Sequence, residues 1–149
     1  MGGRDFTPDA VSALGAPGII VHGLRVKPGK PTVLASADGK PVIGLPGNPA
    51  SALVILQAVA APIVTAVGGR KAAPAKRAAK LAVSYEKRAG WTWYVPAQLL
   101  EEGSEAIAHP LPLRSSSVSL LARASGFIQL GASTVSLAAG EQVEVTSFL

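Results

Sequence analysis

The chain has 149 residues, which is enough for one ordinary domain or two small ones. A composition of 48% hydrophobic and 15% charged residues excludes an intrinsically disordered chain, and the absence of cysteine excludes disulfides, thiolate metal sites and a cysteine nucleophile. The formal net charge of +5 raises the question of a nucleic acid partner, and because the N-terminal residues show no signal peptide we expect a cytoplasmic protein.

The first part of the chain alternates helix and strand signals. Thr7 and Pro8 predict the N-cap and the first residue of a short helix that ends at Gly15. Asp38 and Gly39 form a hairpin turn signal between two apolar runs. Buried strands are predicted over Gly18–His22 and Thr32–Ser36, and a third strand over Pro41–Leu45.

A long apolar helix follows these strands. Asn48 is a suitable N-cap and Pro49 suits the first helical position, so the helix is predicted to begin there, to bend near Pro62 and to end at Gly68–Gly69. Residues 41–69 carry no charge, and a membrane-spanning helix needs about 20 apolar residues. The high alanine content and the internal proline favour a helix buried within a domain, so we expect no association with a membrane.

Half of the basic residues lie in the stretch 70–88, where alanines and Pro74 separate them. No aromatic residue accompanies the first five of these cations, as an interface for single-stranded nucleic acid would need. The stretch therefore predicts a solvated linker and no nucleic acid partner. Its basic residues are Arg70, Lys71, Lys76, Arg77, Lys80, Lys87 and Arg88.

Short β-rich runs separated by turn residues fill the second half of the chain. They cover residues 81–85, 91–95, 106–109, 127–130 and 142–146, and one short helix is predicted over residues 118–124. Several short strands in succession predict a small barrel or a folded sheet. The chain is thus predicted to contain an α/β unit over residues 1–73 and a small all-β, barrel-like unit over residues 74–149.

Two features of the α/β unit favour binding of an anion. Lys27 and Lys30 lie on a turn that prolines stiffen, and two ammonium groups so close together favour a phosphate or carboxylate partner. The alternative is two solvated lysines on a loop. The loop 44–49 then leads into the long helix, where Gly47 allows close backbone approach and the N–H groups of residues 50–52 lie at the positive end of the helix. We therefore predict that Lys27 and the start of this helix face one pocket that binds a phosphorylated ligand.

The sequences HGLRVKPGKP (residues 22–31) and GKPVIGLPGNPASAL (residues 39–53) resemble the molybdopterin molybdenumtransferases, a family that includes the gephyrin E domain. Three further stretches show weaker likenesses. Residues 3–7 are similar to the end of the family's serine/glycine-rich loop. Residues 114–126 are similar to its C-terminal segment, and residues 139–145 are similar to its terminal β signature. The resemblance implies the C-terminal portion of such an enzyme. Residues 1–73 would form the C-terminal half of a three-layer molybdopterin-binding α/β domain, and residues 74–149 its β-barrel-like C-terminal domain.

The activity that the resemblance implies is insertion of molybdate into adenylylated molybdopterin with release of AMP, assisted by Mg²⁺. By motif position, Asp5 would match a catalytic and metal-binding acid, and Lys27 would match a catalytic lysine. The substrate-binding residues would be Lys30, Pro46, Gly47, Asn48, Pro49, Ser51 and Ser115. The sequence does not distinguish molybdate from tungstate as the substrate.

Departures from the family pattern limit what the chain is expected to do alone. The resemblance leaves out the family's N-terminal domains and the first half of its pterin-binding domain. In addition, Gly23 stands where many relatives carry lysine, and Ser125 stands where asparagine is usual. We therefore expect weak molybdopterin binding and little transfer activity from this chain by itself, and either a homodimer or association with an N-terminal fragment. The alternatives are a non-catalytic module that binds molybdopterin or a partner protein, and a basic domain associated with nucleic acid.

Overall fold

The computed structural model describes residues 5–69, 74–112 and 118–148. Residues 5–69 form a three-stranded antiparallel sheet with helices, and the remaining described residues form a barrel of β-strands. The predicted succession of an α/β unit and a β-barrel-like unit is therefore confirmed. The predicted boundary near Ala73 lies outside the described residues.

The sheet of the N-terminal part has the order β1-β3-β4, and all its neighbours are antiparallel. Its hairpin turns at Asp38 and Gly39, whose φ angles of 50° and 78° give the turn that the sequence predicts. Val11 packs against Val33 and Ala35 on one face of the sheet. The elements are α1 (Thr7–Ser12), β1 (Pro17–His22), β2 (Val26–Lys27), β3 (Val33–Ala37), β4 (Lys40–Gly44), α2 (Pro49–Ile55) and α3 (Ala61–Val67).

Two local predictions for this part are wrong. The N-cap of α1 is Phe6 rather than Thr7, because Thr7 already has its N–H bound to the Asp5 carboxylate at 3.0 Å and begins the helix. The strand β1 is not buried: Ile20 is 65% exposed and Val21 is 37% exposed. β1 is an edge strand of its sheet, with a neighbouring strand on one side only.

The long helix begins at Pro49, as predicted, and is interrupted before Pro62. The interruption is a π-helical turn (Leu56–Ala60), in which Ala61 donates its N–H to the Leu56 carbonyl, five residues back. Pro62 has no N–H to continue the regular pattern, which is the predicted reason for a distortion here. The helix ends at Gly68, as predicted. By length and composition alone the stretch Pro49–Val67 could cross a membrane. The prediction of a helix buried within the domain is wrong for most of this stretch, because only 28% of it is buried.

The second part of the chain closes into a five-stranded barrel. Its strands run in the order β7-β8-β5-β11-β9, and β9 pairs again with β7, so that every strand has two neighbours. All these pairs are antiparallel except β5 with β8. Leu81, Val95 and Val145 are buried in its core. The elements are β5 (Lys76–Leu81), β6 (Tyr85–Glu86), β7 (Thr92–Glu102), β8 (Glu105–Pro110), α4 (Val118–Leu121), β9 (Gly126–Leu130), β10 (Ser136–Leu137) and β11 (Gln142–Ser147).

The predicted basic linker is partly a strand of this barrel. Residues 76–81 form β5, and the strand predicted over residues 81–85 is wrong, because β5 ends at Leu81. Three of its cations lie on the outer surface and pair with glutamates: Lys76 with Glu144 at 2.7 Å, Arg77 with Glu101 at 2.6 Å, and Lys80 with Glu105. Charges that suggested a linker therefore belong to the solvated face of a strand, whose inward residues include Ala79 and Leu81.

A short strand of the N-terminal part joins the two units. β2 pairs in parallel with the start of β7, so that Val26 lies opposite Thr92 and Lys27 lies opposite Trp93. The pairing brings the Lys27–Lys30 turn onto the rim of the barrel. This contact determines the geometry of the candidate site.

Candidate functional site

The Lys27–Lys30 turn is held against the long helix at Gly29. Gly29 has a φ of 112°, and a Cβ atom at this position would lie 2.2 Å from Cδ1 of Ile55. The buried Thr32 hydroxyl donates to the Gly29 carbonyl at 2.6 Å, which fixes the turn from its other end. The predicted tight bend is therefore confirmed, and the structure adds a second reason for glycine, which is close packing.

Lys27 and the start of α2 line one cavity of about 400 Å³. Lys27 and Pro28 form one side, and Asn48 and Ser51 form another. The predicted meeting of the lysine turn with the helix start is thus present in the structure. A cavity of this volume is within the range that holds small-molecule ligands.

The helix start offers fewer N–H donors than the sequence predicts. The Asn48 side chain accepts the Ser51 N–H at 3.0 Å and the Ser51 hydroxyl at 3.2 Å, so the predicted N-cap is confirmed. The Ala52 N–H donates to the Asn48 carbonyl at 2.8 Å. Two of the three N–H groups expected to face an anion are therefore used by the cap itself, which leaves Lys27 as the main attraction for negative charge.

Aromatic side chains of the barrel form the wall opposite the helix. The Lys27 Nζ lies 4.0 Å from the centroid of the Trp93 ring, a cation–π contact. Tyr85 packs edge-on against Trp93, with ring centroids 6.3 Å apart. Tyr94 also lines the cavity and is nearly buried. The site therefore places an ammonium group beside flat aromatic surfaces, which suits a ligand that is both anionic and heteroaromatic.

Burial raises the pKa of the Tyr85 and Tyr94 phenols above the ordinary value of 10.0. Loss of the phenolic proton would place a negative charge in a partly desolvated environment, and burial disfavours that charge. Both phenols are consequently neutral at physiological pH. They do not add negative charge to a cavity that contains Lys27.

A second cavity of about 440 Å³ adjoins the first and shares Lys27, Ser51 and Trp93 with it. Lys30 lines it from the α/β unit, while Arg88 and Trp91 line it from the barrel unit. Three cationic side chains, those of Lys27, Lys30 and Arg88, therefore surround this space. Such an arrangement suits an oxyanion or a phosphate group.

The predicted site residues fall into two groups. Lys27, Lys30, Asn48 and Ser51 line these two adjoining cavities. The other predicted residues of the helix loop do not: Pro46 is buried, Gly47 and Pro49 are exposed, and none of the three is among the residues lining either cavity. Apart from its two chain neighbours, no residue in the described part of the chain has an atom within 4 Å of a Cβ built at Gly47, so packing against these residues does not require glycine there. Ser115 lies outside the described residues.

Asp5 is separate from these cavities, since it is not among the residues that line them. Its carboxylate binds the Thr7 N–H, and this hydrogen bond lowers the pKa of Asp5 below its usual value of 3.8. In residues 5–69, 74–112 and 118–148 no group of three His, Asp or Glu side chains could hold a metal ion. These residues therefore do not fit a Mg²⁺ site by themselves, and a metal at Asp5 would depend on ligands such as phosphate oxygens.

The sequence-based prediction of the site did not include five of its residues: Tyr85, Arg88, Trp91, Trp93 and Tyr94. The sequence places Arg88 in the predicted linker, and it places Trp91, Trp93 and Tyr94 in a predicted β-rich run. The available signal was the alternating pair Trp91 and Trp93, which begins three residues after Arg88. That signal could not indicate which distant segment these residues would face.

Two family models match successive parts of the chain. Residues 1–66 match the model described as a probable molybdopterin binding domain, and residues 78–148 match the one described as the MoeA C-terminal region, domain IV. The two cavities lie between the segments matched by these models, because Lys27 and Ser51 come from the first and Arg88 and Trp93 from the second.

Curated relatives and solved structures give the same result. The chain is 33% identical to a molybdopterin molybdenumtransferase of Synechocystis sp., and the match covers 92% of this chain and 33% of that relative. It is 30% identical to a molybdopterin molybdenumtransferase of Bacillus subtilis, and this match covers 97% of this chain and 34% of that relative. The molybdopterin biosynthesis MoeA protein of Pyrococcus horikoshii matches with a TM-score of 0.82 and 34% identity, covering 99% of this chain and 36% of that chain. The chain thus spans about one third of the length of the curated relatives it matches.

Proposed function

The chain belongs to the molybdopterin molybdenumtransferase family over the two regions matched above, and on that basis we propose that it acts in molybdenum cofactor biosynthesis. The proposed reaction is insertion of molybdate into adenylylated molybdopterin with release of AMP. The observation that carries this proposal is the cavity of about 400 Å³. Lys27 lines it together with Asn48 and Ser51 at the helix start and with aromatic side chains of the barrel. A cytoplasmic location, expected from the sequence, suits such a biosynthetic role.

The proposed task of the cations is to bring two anions together. Molybdate and the phosphate groups of adenylylated molybdopterin repel each other in solution, and fixed positive charges reduce that repulsion in a partly desolvated cavity. Lys27 is oriented by its contact with Trp93, and it can still donate N–H bonds away from the ring. Lys30 and Arg88 would hold the second anion in the adjoining cavity.

Mg²⁺ is proposed as a companion of the substrate rather than as a resident metal. Mg²⁺ in phosphate-binding sites is commonly held by one or two carboxylates together with phosphate oxygens and water. Asp5 supplies a single exposed carboxylate. When bound, the ion would neutralise phosphate charge, and we expect it to bind the chain weakly in the absence of a phosphorylated ligand.

Molybdate binding tests the proposal directly. We expect the Lys27→Met variant to bind sodium molybdate at least tenfold more weakly in isothermal titration calorimetry, because it loses a charge at the cavity and keeps a similar side-chain volume. Lys76→Met is the matched control, since Lys76 is an exposed lysine paired with Glu144 on the outside of the barrel. Its molybdate affinity should stay within twofold of the unchanged chain. Equal affinities of the Lys27→Met variant and the unchanged chain would contradict the proposed role of Lys27.

The second candidate function is a non-catalytic module that binds molybdopterin or a partner protein. It is favoured by the position of Asp5, the predicted catalytic acid, which lines neither of the two cavities. A measurement of AMP release from adenylylated molybdopterin distinguishes a transferase from a binding module. It is made with and without a co-expressed N-terminal fragment of the family. Release only with the fragment supports a transferase, and binding without release in both cases supports the module.

Exposed apolar side chains support association with another polypeptide. Ile20 on the edge strand β1 is 65% exposed, and Val64 and Val67 at the end of the long helix are 62% and 68% exposed. Unpaired strand edges and apolar patches favour association. We propose that a second copy of the chain or an N-terminal fragment covers them, and light scattering of the chain with and without that fragment measures which of the two occurs.

A further inference from the structure

The turn that carries Arg88 and Trp91 to the second cavity is short and largely exposed. It connects β6 (Tyr85–Glu86) with β7 (Thr92–Glu102), and its residues Arg88, Ala89 and Gly90 are all exposed. Backbone bonds attach it to a neighbouring loop: the Lys87 N–H donates to the Val135 carbonyl, and the Gly90 N–H donates to the Ala132 carbonyl, both at 2.8 Å. These two bonds attach the turn to the loop that contains Ala132 and Val135.

Lys87 supplies a further connection, within the turn itself. Its side chain is buried, with 8% of the residue exposed, although lysine is seldom buried. The Nζ donates to the Trp91 carbonyl at 2.8 Å and to the Arg88 carbonyl at 3.3 Å. The ammonium group therefore ties together the two residues of the turn that line the second cavity.

Burial of a lysine side chain is costly unless its ammonium group forms hydrogen bonds. In the described parts of the chain no carboxylate forms an ion pair with Lys87. A buried charge without a counterion is stabilised only by dipoles, here those of the two carbonyl groups. An apolar side chain of the same length would fill the space without this cost, so packing alone does not account for a lysine.

From these contacts we infer that Lys87 is a positioning residue for the anion site: it holds the Arg88–Trp91 turn in the conformation that presents Arg88 and Trp91 to Lys30. It acts through the main chain of the turn and does not line the second cavity itself. The inference rests on the proposed function, because it assigns Lys87 a role in the binding of the same anion.

The test uses the full chain and the Lys87→Met variant, which keeps the side-chain length and loses the N–H donors. Backbone ¹⁵N relaxation reports the order of residues 88–91, and calorimetry with sodium molybdate reports the anion affinity. We expect lower order parameters confined to this turn and at least fivefold weaker molybdate binding. Lys80→Met, which removes an exposed lysine paired with Glu105, is the matched control for the loss of one positive charge and should change neither quantity.

The remaining variants separate positioning from general destabilisation. Lys87→Arg keeps charged donors and should recover most of the molybdate affinity, whereas Lys87→Gln, with one amide donor group, should lie between the arginine and methionine variants. If Lys87→Met does not fold, the comparison of Lys87→Gln with Lys87→Arg carries the test. Unchanged order of residues 88–91 in a folded variant without the ammonium group, or unchanged molybdate affinity in that variant, would overturn the inference. Failure of the unchanged chain to bind molybdate would instead count against the proposed function, and the relaxation data would still decide whether Lys87 orders the turn.

Discussion

At the scale of single residues, the site depends on a few positions where only one residue type is compatible with the geometry. Gly29 is such a position, because it combines a φ of 112° with contact against Ile55. The sequence indicated that glycine permits a bend between two prolines, but it could not indicate the contact with a helix more than twenty residues later. Trp93 contributes in a different way, since its ring lies 4.0 Å from the Lys27 ammonium group.

The Gly29→Ala substitution should lower the free energy of unfolding by about 2–4 kcal/mol, because it adds a steric overlap to an unfavourable φ. Gly39→Ala is the control: Gly39 also has a positive φ, of 78°, but among the described residues a Cβ there would meet no atom within 4 Å beyond its chain neighbours. Gly39→Ala is expected to lower the free energy of unfolding by about 1 kcal/mol. Urea denaturation measures both values. Equal costs for the two substitutions would mean that the turn moves away from Ile55 easily.

At the scale of elements, the stability of the barrel follows directly from the pairing of its strands. Its closed order β7-β8-β5-β11-β9 leaves no free edge among these five strands. The sequence identified four of them as β-rich runs and missed β5, because alanines blur the alternation of inward and outward residues and three surface cations dominate the composition of that strand.

Substitution of Leu81, at the end of β5, tests whether this strand contributes to the barrel core. It is 2% exposed and belongs to the barrel core, so Leu81→Ala should cost about 2–5 kcal/mol of unfolding free energy. Val83, two residues later, is 55% exposed, and Val83→Ala should change the free energy by less than about 0.5 kcal/mol. Chemical denaturation of both variants gives the comparison. A loss below about 1 kcal/mol for Leu81→Ala would contradict the placement of this leucine in the core.

At the scale of the whole molecule, the two units meet where the candidate site lies. The β2–β7 pairing, the helix start at Asn48 and the aromatic wall all converge there. Tyr85 and Tyr94 are part of this junction. Their titration therefore reports on the integrity of the interface as well as on the barrel.

The stability of the chain should fall as the pH rises above about 10. In the folded protein the pKa values of Tyr85 and Tyr94 are raised above 10.0, so above that pH the unfolded chain binds fewer protons than the folded chain and ionisation favours unfolding. The contribution of these phenols is fully present below pH 10. Urea denaturation between pH 8 and 11 measures the decline, and the Tyr85→Phe, Tyr94→Phe double variant should show a smaller one. An identical decline in that variant would assign the effect to other groups.

The sequence by itself determined the local features of this protein: the Asn48 cap, the hairpin at Asp38 and Gly39, the end of the long helix at Gly68, and the family to which the motifs point. Each of these depends on residues close together in the chain, where propensities and short hydrogen bonds act directly. Only the tertiary structure decided that Lys27 lies over Trp93, that Arg88 reaches the cavity and that Asp5 does not line it. Those relations join segments more than twenty residues apart, and they are determined by strand pairing and packing, which no local pattern contains.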